Sequence, residues 1–251
     1  MKIEVVKLGL SGIVLPYPKY QFPEEAQKSS RLTLYSTFFN SIEVNDSFYK
    51  IPQRKTIERW ARSVPDNFMF TFKLHQDFTH AKMLSQRPGR THEFVQTISL
   101  VGAKRGCILV QFPPSFKAGS RSYVENLLSE LTTETAGNEW KIAIEFRDSA
   151  WYDEETLDLL KAFNASLVLQ DIPKSAAPFI STSNDFVYVR FHGPTGNYRG
   201  SYNDSFLHEY AEHITAWAED GKGLFVYFNN TAGSAFQNGQ TLKRYLDLSE
   251  K

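Results

Sequence analysis

Short apolar runs with alternating polar positions recur along the whole chain, and most are separated by segments of helical periodicity. The alternating runs predict strands over residues 5–11, 41–45, 68–73, 108–111, 142–147, 167–171, 187–192 and 224–229. Between them, Ile57, Trp60, Ala61 and Val64 fall on one helical face. So do Tyr123, Leu127, Leu128 and Leu131, and again Leu207, Tyr210, Ile214 and Trp217. Asp153, ahead of Glu154 and Glu155, marks a helix start, and Asp204 is the expected cap of a later one. The stretch 172–185 holds two prolines and no helical face, so an irregular crossover is expected between strands 6 and 7.

Eight strands at a mean spacing of ~31 residues, alternating with helices, predict an α/β fold: a single (β/α)8 TIM-type barrel, with residues 1–251 as one domain. In such a barrel one face of each strand meets the helices and the other fills the lumen. Ile142, Ile144 and Phe146 are expected to face outward, leaving Ala143, Glu145 and Arg147 to run up the lumen. The same split sends Tyr188, Arg190 and His192 inward, as it does Thr71 with Lys73 and Glu43 with Asn45. Ser11, Gln111, Asp171 and Asn229 are expected to close four further strands in the same way. Each strand then ends in a polar residue at one mouth of the barrel, the end where barrel enzymes build their sites. Polar strand ends can also just meet solvent or neutralise one another. Burying so many ionisable groups without a role is costly, and this favours a functional pocket.

Charge and composition narrow the classes. The 28 Lys and Arg balance 28 Asp and Glu, which argues against a protein that coats nucleic acid or an anionic membrane through bulk charge. The single Cys107 cannot form an internal disulfide and suits a reducing compartment, so a cytoplasmic location is expected. No apolar run reaches ~20 residues and the first residues carry charge, so neither a membrane span nor a signal peptide is expected.

The runs NSIEVNDSFYKIP (40–52), ILVQFPPSF (108–116), AIEFRDSAWYDEE (143–155), FVYVRFHG (186–193) and VYFNN (226–230) resemble, in order, the signature blocks of the YecE-like family, domain of unknown function 72. The resemblance implies a TIM-barrel-like fold and leaves the activity open. It also implies that the family's polar positions fall on Glu43, Asn45, Tyr49, Lys73, His80, Gln111, Glu145, Arg147, Asp171, Arg190, His192, Tyr198 and Asn229. Where the family's opening block usually carries tryptophan, this chain has Ile13 after Gly12, so an aromatic wall from the first loop is not expected.

Phosphate loops, dinucleotide fingerprints and CxxC pairs are absent, and the cofactor is left unknown. His208 and His213 are five apart and diverge by about 140° around a helix of 3.6 residues per turn, which does not suit a zinc pair. Within the ring, Glu43 and Glu145 are a candidate carboxylate pair and His192 a candidate acid or base. Lys73, Arg147 and Arg190 suit phosphate or carboxylate. Asn45, Tyr49, Gln111, Asp171, Tyr198 and Asn229 complete the expected substrate contacts. Glu145, Asp171, His192 and Glu43 are the types that hold Zn²⁺ or Mn²⁺, but the adjacent cations oppose it and no metal is assigned. Tyr49, Phe112, Phe116, Trp151, Tyr198 and Tyr202 follow strands, either to stack on a ligand or to anchor loops. The loop 75–91, with Lys82, Arg87 and Arg90, is either a basic lid or a solvated segment. The leading expectation is an enzyme acting on a small anionic, phosphorylated or nucleotide-like substrate, with hydrolysis the foremost reaction class. The alternatives are a non-catalytic barrel that binds a nucleotide or a nucleic-acid end, and a metal-dependent phosphodiesterase. Nucleic acid is the less favoured partner.

Overall fold

The computed structural model describes residues 5–80, 89–183 and 185–248. Eight parallel strands close into a barrel in sequence order: β1 Val6–Ser11, β2 Ser41–Val44, β3 Met69–Lys73, β4 Arg105–Gln111, β5 Lys141–Glu145, β6 Ser166–Gln170, β7 Phe186–Phe191 and β8 Gly223–Phe228. Closure is made by β1 against β8, with Val6 opposite Leu224 and Leu10 opposite Phe228. The helices are α1 Glu24–Gln27, α2 Arg31–Tyr35, α3 Arg54–Arg62, α4 Arg90–Ile98, α5 Arg121–Thr135, α6 Glu154–Ala162, α7 Asp204–Glu219 and α8 Ala235–Leu248. Among the described residues no helix is long and apolar enough to cross a membrane.

Period-2 alternation sorts the apolar side chains into two bodies. Ile42, Val44, Phe70, Phe72, Ile142, Ile144, Val187 and Val189 belong to the layer between strands and helices. Cys107, Leu109, Ala143, Val168, Phe186, Tyr188, Phe225 and Tyr227 pack separately and fill the lumen. The parity read from the sequence therefore holds, with one correction. Val168 lies in the lumen while Leu167 and Leu169 face the helices, so Gln170, not Asp171, has the inward parity of β6. Asp171 lies one residue beyond the strand and reaches the mouth as a loop residue.

Local chemistry sets the remaining boundaries. Asp153 caps α6, its Oδ1 accepting from the Thr156 N–H at 2.8 Å. The cap of α7 is Asn203 rather than Asp204, because the Asn203 Oδ1 accepts from the Phe206 N–H at 2.8 Å. The β6–β7 crossover has no helix among its described residues. There Thr182 takes the place of a strand neighbour: its Oγ1 accepts from the Leu167 N–H at 2.7 Å and donates to the Ala165 carbonyl at 2.8 Å. Gly9 is required by close packing, since a Cβ there would stand 2.1 Å from the Ser41 carbonyl oxygen. The Tyr35 hydroxyl ties the same strands, accepting from the Leu10 N–H at 2.7 Å and donating to the Ser41 carbonyl at 2.9 Å.

Candidate active site at the barrel mouth

The polar network begins on the lumen core. The Tyr227 hydroxyl lies 2.6 Å from Ser41 Oγ and 2.8 Å from Thr71 Oγ1. One layer higher, Glu43 Oε1 accepts from Ser11 Oγ and Oε2 accepts from the Tyr188 hydroxyl, both at 2.5 Å. Arg190 covers the same carboxylate, with Nη2 at 2.8 Å from Oε1 and Nε at 3.1 Å from each oxygen. Its Nη1 donates to Glu145 Oε2 at 3.0 Å. Arg147 Nε donates to the other oxygen of Glu145.

Glu43, Glu145, Arg190 and His192 are all buried, so the protonation states follow from these contacts. Burial pushes the Glu43 carboxyl up, but Arg190, Ser11 and Tyr188 outweigh it and hold the group below the usual range. Glu145 is held well below that range against the same burial, by Arg147 and Arg190 and then by His192 and Lys73. Burial disfavours the charge on Arg190, yet the two carboxylates raise its pKa.

His192 Nε2 faces Arg147 Nη2 at 3.0 Å and Arg190 Nη1 at 3.1 Å. Guanidinium nitrogens only donate, so Nε2 is the unprotonated ring nitrogen. The proton is then on Nδ1, 3.4 Å from Asp171 Oδ1. Burial lowers the His192 pKa, and the two arginines add to it against Glu145 and Asp171. The imidazole is therefore neutral, and its lone pair is engaged. Asp171 is itself anchored: Oδ1 accepts from the His192 N–H at 2.7 Å, and Oδ2 accepts from the Tyr202 hydroxyl.

The remaining expected residues surround this core. Lys73 Nζ donates to Gln111 Oε1 at 2.8 Å and lies 4.2 Å over the Phe48 ring. Asn45 Oδ1 accepts from Arg190 Nη2 at 3.4 Å. The Tyr198 hydroxyl accepts from Arg147 Nη1 at 3.1 Å, its ring 5.7 Å from that of His192. Asn229 follows β8 and is buried, its backbone N–H donating to the Phe191 carbonyl at 2.7 Å. Tyr49 is 69% exposed and touches Phe48 edge-on.

Of the loop aromatics, Tyr49 and Tyr198 present exposed rings. Phe112, Phe116 and Trp151 are buried in one stack, with Phe112 4.3 Å from Phe116 and Trp151 5.3 Å from Phe116, and Tyr202 stacks on Phe206 at 4.7 Å. These four anchor loops. Lys82 and Arg87 lie outside the described residues, and Arg90 pairs with Asp77 at 2.8 Å at the start of α4. On α7, His208 is exposed and His213 partly buried, and they face Glu212 and Glu209 at 3.8 and 3.9 Å.

Among the described residues no group of three or more His, Cys, Asp or Glu is placed to hold a metal ion. Glu43 and Glu145 turn their oxygens to Arg190, and His192 turns Nε2 to two guanidinium groups. Sequence reasoning turned Tyr188 and Ser11 inward, Ser11 as part of the polar ring, but gave neither a role. Both share the inward parity of their strands and lie beneath charged residues, which was the signal available.

The family model described as a protein of unknown function, DUF72, matches residues 14–251. The chain belongs to the DUF72 family. It is 27% identical to the UPF0759 protein YunF of Bacillus subtilis (strain 168), over 90% of each chain. A solved DUF72 structure from Thermotoga maritima superposes with a TM-score of 0.81 at 27% identity, covering 96% of this chain and 99% of that one. A second, from Enterococcus faecalis V583, gives a TM-score of 0.77 at 23% identity, covering 96% and 97%. All the DUF72 signature blocks quoted from the sequence lie inside the matched range.

Proposed function

We propose that this DUF72 chain is an enzyme acting on a small anionic substrate, phosphorylated or nucleotide-like, bound at the barrel mouth, with hydrolysis as its reaction class. The observation that supports this is Lys73, a cation on the open side of the buried network whose side chain is ion-paired to no carboxylate among the described residues. Arg190 is committed to Glu43 and Glu145, and Arg147 to Glu145. Lys73 donates to a neutral amide oxygen, and among the described residues no carboxylate is paired with it. Its pKa is brought down to about 8, by burial first and then by Arg190, with Glu145 and Glu43 opposing. His80, exposed beside Phe48, is lowered to about 4 by partial burial and by Lys73 and Arg147. Burial is the larger cause in both groups and the neighbouring cations add to it; a bound anion would relieve the part that the cations contribute.

In this reading Lys73 and Arg147 clamp the anion, with Tyr49 and Tyr198 as the ring surfaces beside it. Glu145 and His192, the acid and base expected from the sequence, are engaged by guanidinium groups. The neutral imidazole of His80 is the better base: Nδ1 meets Thr79 Oγ1 at 2.8 Å, leaving Nε2 for water. A bound anion also offsets Lys73 and Arg147, which raises the His80 pKa towards neutrality and strengthens it as a base. Engagement of both Glu145 and His192 favours a second reading, a barrel that binds its anion without turnover.

A thermal-shift screen of phosphorylated metabolites and nucleotides, followed by ³¹P NMR of the hits, tests both. The enzyme reading predicts product formation that His80→Ala abolishes while binding persists. Binding without product would establish the second reading. Stabilisation that survives Lys73→Ala with Arg147→Ala would remove the clamp.

A further inference from the structure

The outer layer of the barrel buries β2 but leaves a cavity over it. The β1–β2 crossover supplies helices of four and five residues, whereas α5 and α7 have 15 and 16. A cavity of 120 Å³ remains against β2. Leu32 of α2, Trp60 of α3, Ile42 and Val44 of β2 and Phe70 of β3 form its walls, and Ile13 borders it from the loop after β1. A void with apolar walls forfeits packing contacts and holds no water of its own.

The polar lining belongs to Ser11, Asn45 and Asp46, at the ends of β1 and β2 that face the mouth. Ser11 is also the donor to Glu43, and Asn45 the acceptor from Arg190. Val44 stands opposite Phe72, so the next residues, Asn45 and Lys73, stand at the ends of neighbouring strands. Asn45, which lines the cavity, thus ends the strand next to the one that carries Lys73 of the clamp. Gly12 leaves the approach clear, since a Cβ there would meet nothing within 4 Å.

The geometry points to this cavity as a subsite for a ring-sized apolar group carried by the anion at the mouth, an inference that rests on the mouth being an anion site. Volume sets the size of the group: an apolar cavity of about 150 Å³ takes benzene, and 120 Å³ suits one six-membered ring. Charge sets the orientation. The exposed Asp46 repels an anion from the cavity, while Lys73 and Arg147 draw it to the mouth. The substrate class narrows to phosphate esters with an apolar ring.

Calorimetric titration with methylphosphonate and phenylphosphonate, which share a charged head and are not hydrolysed esters, tests the subsite. The phenyl compound is expected to bind about tenfold tighter or more, from the apolar area it buries. Ile13→Trp fills the cavity from its loop and should erase that advantage while leaving methylphosphonate affinity unchanged. Leu32→Phe fills it from α2 and gives a second reading if the first variant folds poorly. Methylphosphonate binding with no phenyl advantage, or an advantage that survives both fillings, overturns the subsite and leaves the mouth standing. Failure of both compounds to bind overturns the two together.

Discussion

Arg190 holds Glu43 through three guanidinium contacts, Nη2 at 2.8 Å and Nε at 3.1 Å to each oxygen, with both side chains buried on the lumen core. The same guanidinium reaches Glu145 through Nη1 at 3.0 Å. One cation on β7 thus links carboxylates from β2 and β5 across the barrel. A buried pair adds little net stability, because desolvation offsets the attraction, but removing one partner leaves an uncompensated charge. Arg190→Leu should lower the unfolding free energy by about 3–5 kcal/mol, read by urea denaturation. A loss near zero would mean that the two acids are not held ionised by Arg190.

The acid limb of stability follows from the same contacts. Glu43, Glu145 and His192 all have folded-state pKa values below their ordinary ones. The unfolded chain therefore takes up protons first as the pH drops, and the stability these groups contribute is present above their unfolded values. Stability should begin to fall below about pH 6.5 through His192 and steepen below about 4.3 through the glutamates. Glu145→Gln should flatten the steeper part. Denaturation midpoints that rise as the pH falls across this interval would contradict the assigned states.

The barrel was legible because a strand in a closed sheet repeats every two residues, and Glu145, Arg190 and Gln111 each share the parity of a lumen residue such as Ala143, Tyr188 or Leu109. That argument stops where the strand stops. Asp171 lies past the end of β6 and on its outward parity, since Val168 and Gln170 point inward, so the parity reading misplaced it, although its carboxylate still meets the His192 backbone. The protonation of His192 was not legible at all: Arg147 follows β5 and Arg190 lies on β7, and sequence gives no contact between them and one ring nitrogen. Aromatic loops were ambiguous for a similar reason. Trp151 and Tyr49 both follow strands, and only packing decides that Trp151 is buried on Phe146 while Tyr49 projects outward.

The His192 tautomer gives a direct spectroscopic check. With two guanidinium donors on Nε2 and Asp171 facing Nδ1, the ring should remain neutral with Nε2 unprotonated throughout the neutral range. Nitrogen-15 NMR of labelled histidine distinguishes that form from the other tautomer and from imidazolium. Asp171→Asn keeps the shape but replaces the carboxylate that favours the Nδ1 proton, and should shift the ring towards a mixture of tautomers. An imidazolium signal at neutral pH in the unaltered protein would reverse the assignment.

Anion binding at the mouth should carry the titration of Lys73. Its ammonium loses a proton at about pH 8, because burial and the Arg190 charge disfavour the protonated form. A bound anion favours that form, so binding takes up a proton wherever the free amine predominates. Sulfate affinity should therefore be level below about pH 8 and fall as the pH rises beyond it. Sulfate is the suitable probe because, unlike phosphate, it keeps its charge through this interval. Lys73→Met should bind sulfate about tenfold more weakly, the scale of one charge-assisted contact, and should lose the alkaline decline. If the decline persists in Lys73→Met, another group governs it and Lys73 is not the titrating arm of the clamp.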